Sequence, residues 1–116
     1  MTPDELVQAY REAAIEYGAA IDSKRANAAL GRLPGILKSL YAAGAERRIL
    51  ELLADESAHV RAWAGFNALA LSPDDGLGVL RELAQGPFGS VRADAAMTLQ
   101  LWEEGKLELY WWRDNP

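Results

Sequence analysis

The chain has 116 residues, one histidine, no cysteine and a formal net charge of −5. That composition excludes a disulfide framework, a cysteine-ligated zinc site, a catalytic thiol and a two-histidine metal centre within one chain. Alanine (21) and leucine (17) together fill 38 of the 116 positions. Both enter helices at little cost, so the expected class is all-α, in one domain.

The charge is unevenly spread. Residues 1–48 hold seven basic and six acidic side chains, whereas residues 49–116 hold five and eleven. An acidic second part repels phosphate backbones, so no nucleic-acid partner is expected. It suits a basic protein partner instead. The first ten residues are polar and include Asp4 and Glu5, and no apolar run approaches the roughly 18–20 residues that span a bilayer. The expectation is a cytoplasmic protein without a membrane partner.

In chain order, Thr2-Pro3-Asp4-Glu5 predicts a capped helix start, and apolar residues from Leu6 to Ala20 then recur at helical spacing to about Ile21. Asp22-Ser23 opens a second helix that Pro34 must kink or split near Leu33. Gly44 ends the run from Ile36 to Ala43, and a short helix is expected from Ala45 to Ala54. Ser57 precedes a helix from Ala58 to Leu71, Ser72-Pro73-Asp74-Asp75 opens another to about Gln85, and Gly86-Pro87-Phe88-Gly89 breaks it. Ser90 opens the last helix, which Gly105 stops. Ser23, Ser57, Ser72 and Ser90 all fall at helix starts, so they are expected to serve as caps and not as nucleophiles.

A shift of 31 residues aligns the chain with itself. Glu51-Leu52 falls on Glu82-Leu83, and His59-Val60-Arg61-Ala62-Trp63-Ala64-Gly65 falls on Ser90-Val91-Arg92-Ala93-Asp94-Ala95-Ala96. Small residues at 64/65 and 95/96 should let helices approach closely, and Val60 and Val91 should anchor the helix starts in the core. Asp55, Val60, Arg61, Ala64 and Gly65 reproduce the turn-Asp, Val-Arg, small-small pattern of HEAT-type repeats, which this part of the chain resembles. The second copy departs from it, with Gly86 in place of the turn Asp.

The layout is also similar to a small bacterial family of HEAT-like domains of unknown function. Asp22, Lys24 and Asn27 fit its N-terminal feature, and Leu101-Trp102-Glu103-Glu104-Gly105 fits its ending. The resemblance implies a HEAT-like α-solenoid of about six helices. Residues 1–44 would form capping helices, 45–105 two repeats, and 106–116 an aromatic tail. It further implies structural roles for Arg61 and Arg92, bonding turn carboxylates or helix ends. Members of such families resemble immunity proteins that neutralise bacterial toxins.

Catalytic and cofactor signals are weak. Glu12 and Glu16 lie one turn apart without a histidine near them, and Asp55-Glu56, Asp74-Asp75 and Glu103-Glu104 are doublets, the first two at turns or helix starts. His59 stands alone at a helix start, and the glycine pairs Gly76/Gly78 and Gly86/Gly89 match no nucleotide fingerprint. The expectation is therefore no enzyme activity, no metal and no cofactor. Trp63 occupies the register position of Asp94, so neither marks a shared core slot. Both are expected on the ridge of second helices, although Trp63 lying flat across its neighbours is the competing placement. The expected function is protein binding: an immunity protein occluding a basic, nuclease-like toxin through Trp63, Asp94, Asp55, Glu56, Asp74, Asp75 and His59. The alternative is a general adaptor or scaffold, monomeric or a weak homodimer. The tail Tyr110-Trp111-Trp112 either covers the apolar edge of the last repeat or stays open to a partner.

Overall fold

The structure, a computed structural model, describes residues 1–114, so the last two residues of the tail lie outside it. Thr2 opens helix α1 (Pro3–Ala19) with a reciprocal cap: its hydroxyl accepts the Glu5 N–H at 3.2 Å, and the Glu5 carboxylate accepts the Thr2 N–H at 2.9 Å. The bond from the Thr2 backbone, and then that with its side chain, hold the Glu5 carboxyl below its ordinary range. At the next start Asp22 is the cap, accepting the Arg25 N–H at 2.8 Å, and Ser23 is already the first residue of α2 (Ser23–Leu30). Pro34 splits the chain here and does not merely kink it. It sits in the first turn of α3 (Leu33–Ala42), where its missing N–H costs nothing. Gly44 then ends the run with a φ of 67°, a conformation that only glycine adopts freely.

The expected short α-helix from residue 45 is instead a 3-10 segment, Glu46–Ala54. Its apolar residues repeat every three positions: Ile49 and Leu52 are buried, Leu50 and Leu53 half-buried, and Glu51 and Ala54 exposed. Side chains three apart eclipse in a 3-10 helix, so this spacing suits it better than the 3.6-residue turn.

Helices α4 (Ala58–Ala68), α5 (Pro73–Ala84) and α6 (Ser90–Glu103) follow. Of the serines at helix starts, Ser57 caps as expected, accepting the Val60 N–H at 3.4 Å. Ser72 makes no cap bond and donates its hydroxyl to Asp75 at 2.6 Å. Ser90 lies inside α6, with Gly89 at a φ of 150° before it and no side chain capping the helix. The described residues contain six α-helices and no strand, and none of these helices is long and apolar enough to cross a membrane.

The described residues form two compact units, one of Met1–Arg48 with residues 110–114, the other of Ile49–Leu109. In the first, α1, α2 and α3 pack on one another around the fully buried Tyr10, Leu33, Leu37 and Leu40. Fully burying such a side chain contributes about 1.5–3 kcal/mol. In the second, α5 packs against both α4 and α6, and Leu69, Leu77, Leu80, Leu83 and Ala95 form the core. A close approach lies at Gly76 of α5: a Cβ there would lie 2.8 Å from the Gly65 carbonyl oxygen of α4. Gly65 therefore plays the close-contact part its repeat position suggests. Its counterpart Ala96 is exposed, a departure from the expectation that both small pairs mediate helix contact.

The tail is divided. Leu107 and Leu109 pack on the core of the second unit, but Trp112 is buried in the first unit, its ring 4.7 Å from that of Tyr41. Tyr110 packs edge-on to Tyr41 at 6.3 Å. Tyr110 and Trp112 thus pack on Tyr41 of α3, and Leu107 and Leu109 on the core of the second unit.

Candidate functional site

The two repeat copies make the same bond at the same place. Arg61 of α4 donates from Nη1 to the carbonyl oxygen of Asp55 at 2.6 Å, and Arg92 of α6 does so to the carbonyl oxygen of Gly86 at 3.4 Å. Both bonds reach back six residues, from the residue immediately after Val60 or Val91 to the turn. The acceptor is main chain, so the bond survives the replacement of the turn Asp by Gly86. Turn carboxylates or helix ends were the expected acceptors; the bonds go to main-chain carbonyls just past helix ends, at Asp55 after Ala54 and at Gly86 after Gln85, which explains why the second copy tolerates loss of the carboxylate. Asp55 adds a local contact, its carboxylate accepting the Ser57 N–H at 2.9 Å. Val60 is fully buried and Val91 packs against the core at partial exposure, as helix-start anchors should.

With the arginines turned toward their turns, the other side of the same helices carries Trp63 and Asp94. Two residues on a helix are about 200° apart around its axis, so Arg61 and Trp63, like Arg92 and Asp94, project to nearly opposite sides. Trp63 is half-buried and meets Phe66 edge-on at 6.5 Å, while Asp94 is exposed. Trp63 is thus partly at the surface and has Phe66 beside it. Asn67, buried at 3% exposure, braces the same turn by donating to the Trp63 carbonyl oxygen at 3.1 Å.

Glu56, Asp74 and Asp75 are exposed and Asp55 is half-buried. Asp74 and Asp75 occupy the first turn of α5, where negative charge meets the positive end of the helix dipole. Glu12 accepts a bond from Gln8 at 3.2 Å and Glu16 pairs with Arg32, so both have local partners. Among the described residues no group of three or more His, Asp and Glu side chains is placed to hold a metal ion.

His59 is brought somewhere the sequence reading did not anticipate. It lines a groove of about 430 Å³ with Arg61, Glu82, Phe88, Ser90 and Arg92. The groove joins equivalent edges of the two copies, since His59 and Ser90, like Arg61 and Arg92, share register positions in the 31-residue repeat. Phe88, read from sequence only as part of a helix breaker, is 91% exposed, and the Arg92 guanidinium lies 4.2 Å from its ring centroid. The available signal was an aromatic residue in a Gly-Pro-x-Gly turn, whose shape requires none.

Comparison of the chain with protein-family models, with curated proteins and with solved structures gave no match.

Proposed function

We propose that the chain is a non-catalytic protein-binding domain, built as a short HEAT-like stack, that acts as an immunity protein by occluding a basic, nuclease-like toxin. The observation that carries this reading is the outward side of α4 and α6, where half-buried Trp63 and exposed Asp94 take equivalent positions. A braced, partly exposed tryptophan is the kind of anchor that dominates interface energetics. The exposed carboxylates of Glu56, Asp74 and Asp75 supply charge for a partner's lysines and arginines. The excess of six acidic groups over residues 49–116 would speed the approach of such a partner at low salt. The tail's Trp112 is taken up by Tyr41 of its own chain, which favours this reading over an adaptor that dimerises through the tail.

The test is co-expression with the product of the adjacent reading frame, followed by size-exclusion chromatography and titration calorimetry. A stoichiometric complex with abolished toxicity is expected. Trp63→Ala should weaken it by about 2 kcal/mol, roughly 30-fold. A harmless neighbour that forms no complex would refute the proposal.

A further inference from the structure

The groove beside His59 has a polarity opposite to that of its surroundings. Residues 49–116 carry eleven acidic and five basic groups, yet the groove brings together Arg61 and Arg92 against the single carboxylate of Glu82. Each of these arginines donates one N–H to a turn carbonyl, which tethers its guanidinium beside the turn, and a guanidinium has further N–H groups that a ligand can use. Both are half-buried, so a carboxylate arriving there meets a stronger pairing than an open surface offers. Phe88 stands at the rim, 91% exposed, in contact with the Arg92 guanidinium. A small dicarboxylate could satisfy the arginines but would leave the ring uncovered. A ligand using both must extend from the groove to the rim, carrying acidic and apolar side chains in one strand.

We propose that this groove binds an acidic, extended peptide segment of a partner protein, its carboxylates on Arg61 and Arg92 and an apolar side chain on Phe88. The ring N–H of His59 and the Ser90 hydroxyl supply further polar contacts along the groove. This site lies on the arginine side of α4 and α6, away from Trp63 and Asp94, and does not depend on the toxin-occlusion reading. Residues 49–116 as a whole carry six more acidic than basic groups, so the general charge of this part of the chain opposes the probe, and the Arg92 and Phe88 variants assign its binding to the groove.

The experiment is fluorescence anisotropy of a fluorescein-labelled octapeptide of alternating Glu and Leu, titrated with the full chain. Saturable binding is expected, weakened about tenfold by Arg92→Gln and about fivefold by Phe88→Ala. Phe88 is almost wholly exposed, so its variant keeps the fold, checked by circular dichroism, even where Arg92→Gln loosens the turn. No saturable binding up to millimolar peptide, equal binding of the Lys-for-Glu peptide, or unchanged affinity in Phe88→Ala would each overturn the proposal. Glutarate displacing the probe at concentrations equal to the unlabelled peptide would assign the groove to a small dicarboxylate and overturn it as well.

Discussion

Three glycines of the second unit allow its packing to be tested with a single methyl group. Gly76 lies where an added Cβ would meet the Gly65 carbonyl oxygen at 2.8 Å, Leu69 Cδ2 at 3.1 Å and the Leu69 nitrogen at 3.2 Å. Two of those three atoms are main chain, so relief requires α4 and α5 to separate. Overpacking of this kind costs about 3 kcal/mol, the upper part of its usual range, and Ala in place of Gly within a helix returns about 1 kcal/mol. Gly76→Ala should therefore destabilise by about 2 kcal/mol. Gly78, in the same helix, has nothing within 4 Å of its added Cβ, and Gly78→Ala should stabilise by about 0.5–1 kcal/mol. Gly65 falls between them, since its Cβ would meet the Leu80 side chain at 3.1 Å, and a side chain can yield. Gly65→Ala is expected near neutral, within about 1 kcal/mol, because the two effects offset. Urea denaturation followed by circular dichroism gives the order directly from the midpoints at constant m-value. If Gly76→Ala and Gly78→Ala shift the midpoint in the same direction, close helix approach is not what selects Gly76, and the argument fails.

The paired arginine bonds predict unequal costs: Arg61→Ala should lose about 2 kcal/mol, and Arg92→Ala, whose bond is 3.4 Å against 2.6 Å, clearly less by the same urea assay. Trp112→Ala should destabilise by about 3–5 kcal/mol and reduce the near-ultraviolet dichroism, because the ring is buried at 5% exposure on Tyr41. A loss under about 0.5 kcal/mol would mean the tail merely rests on the surface. Tyr41 itself titrates late: burial first, then the Tyr110 and Glu46 charges, raise its phenol above the ordinary 10.0, against an opposing pull from Arg113. The folded chain holds that proton more tightly than the unfolded chain, so this contribution to stability is complete below pH 10 and declines as pH rises through the raised value. Tyrosinate absorbance should show a late phase in the native protein that Tyr41→Phe removes.

Much of the fold was legible because its signals are local. The reciprocal Thr2/Glu5 cap, the split at Pro34 and the stops at Gly44 and Gly105 each depend on a few neighbouring residues. The serines at helix starts were legible only as a class. A neighbouring Asp22 or Gly89 took the cap position from Ser23 and Ser90, and a carboxylate three residues on took the hydroxyl of Ser72. The 3-10 segment was misread because Ile49, Leu50, Leu52 and Leu53 satisfy both a three-residue and a 3.6-residue repeat over so short a run. Of the site, the register of Trp63 with Asp94 and of Arg61 with Arg92 was visible, but not the groove that gathers His59, Glu82 and Phe88.

The sequence alone determined that this chain is helical, roughly where most of its helices start and stop, that two stretches 31 residues apart share a Val-Arg-Ala pattern, and that the acidic excess lies in the second part. Composition, capping chemistry and periodicity act over a turn or two and need no tertiary context. Only the tertiary structure decided that a turn carbonyl receives each arginine, that Gly76 meets Gly65, and that Trp112 packs on Tyr41. Those outcomes join residues that sequence spacing does not relate, through the shape and space left when helices pack. The same packing sets two basic side chains and an exposed ring around a groove in the acidic part of the chain.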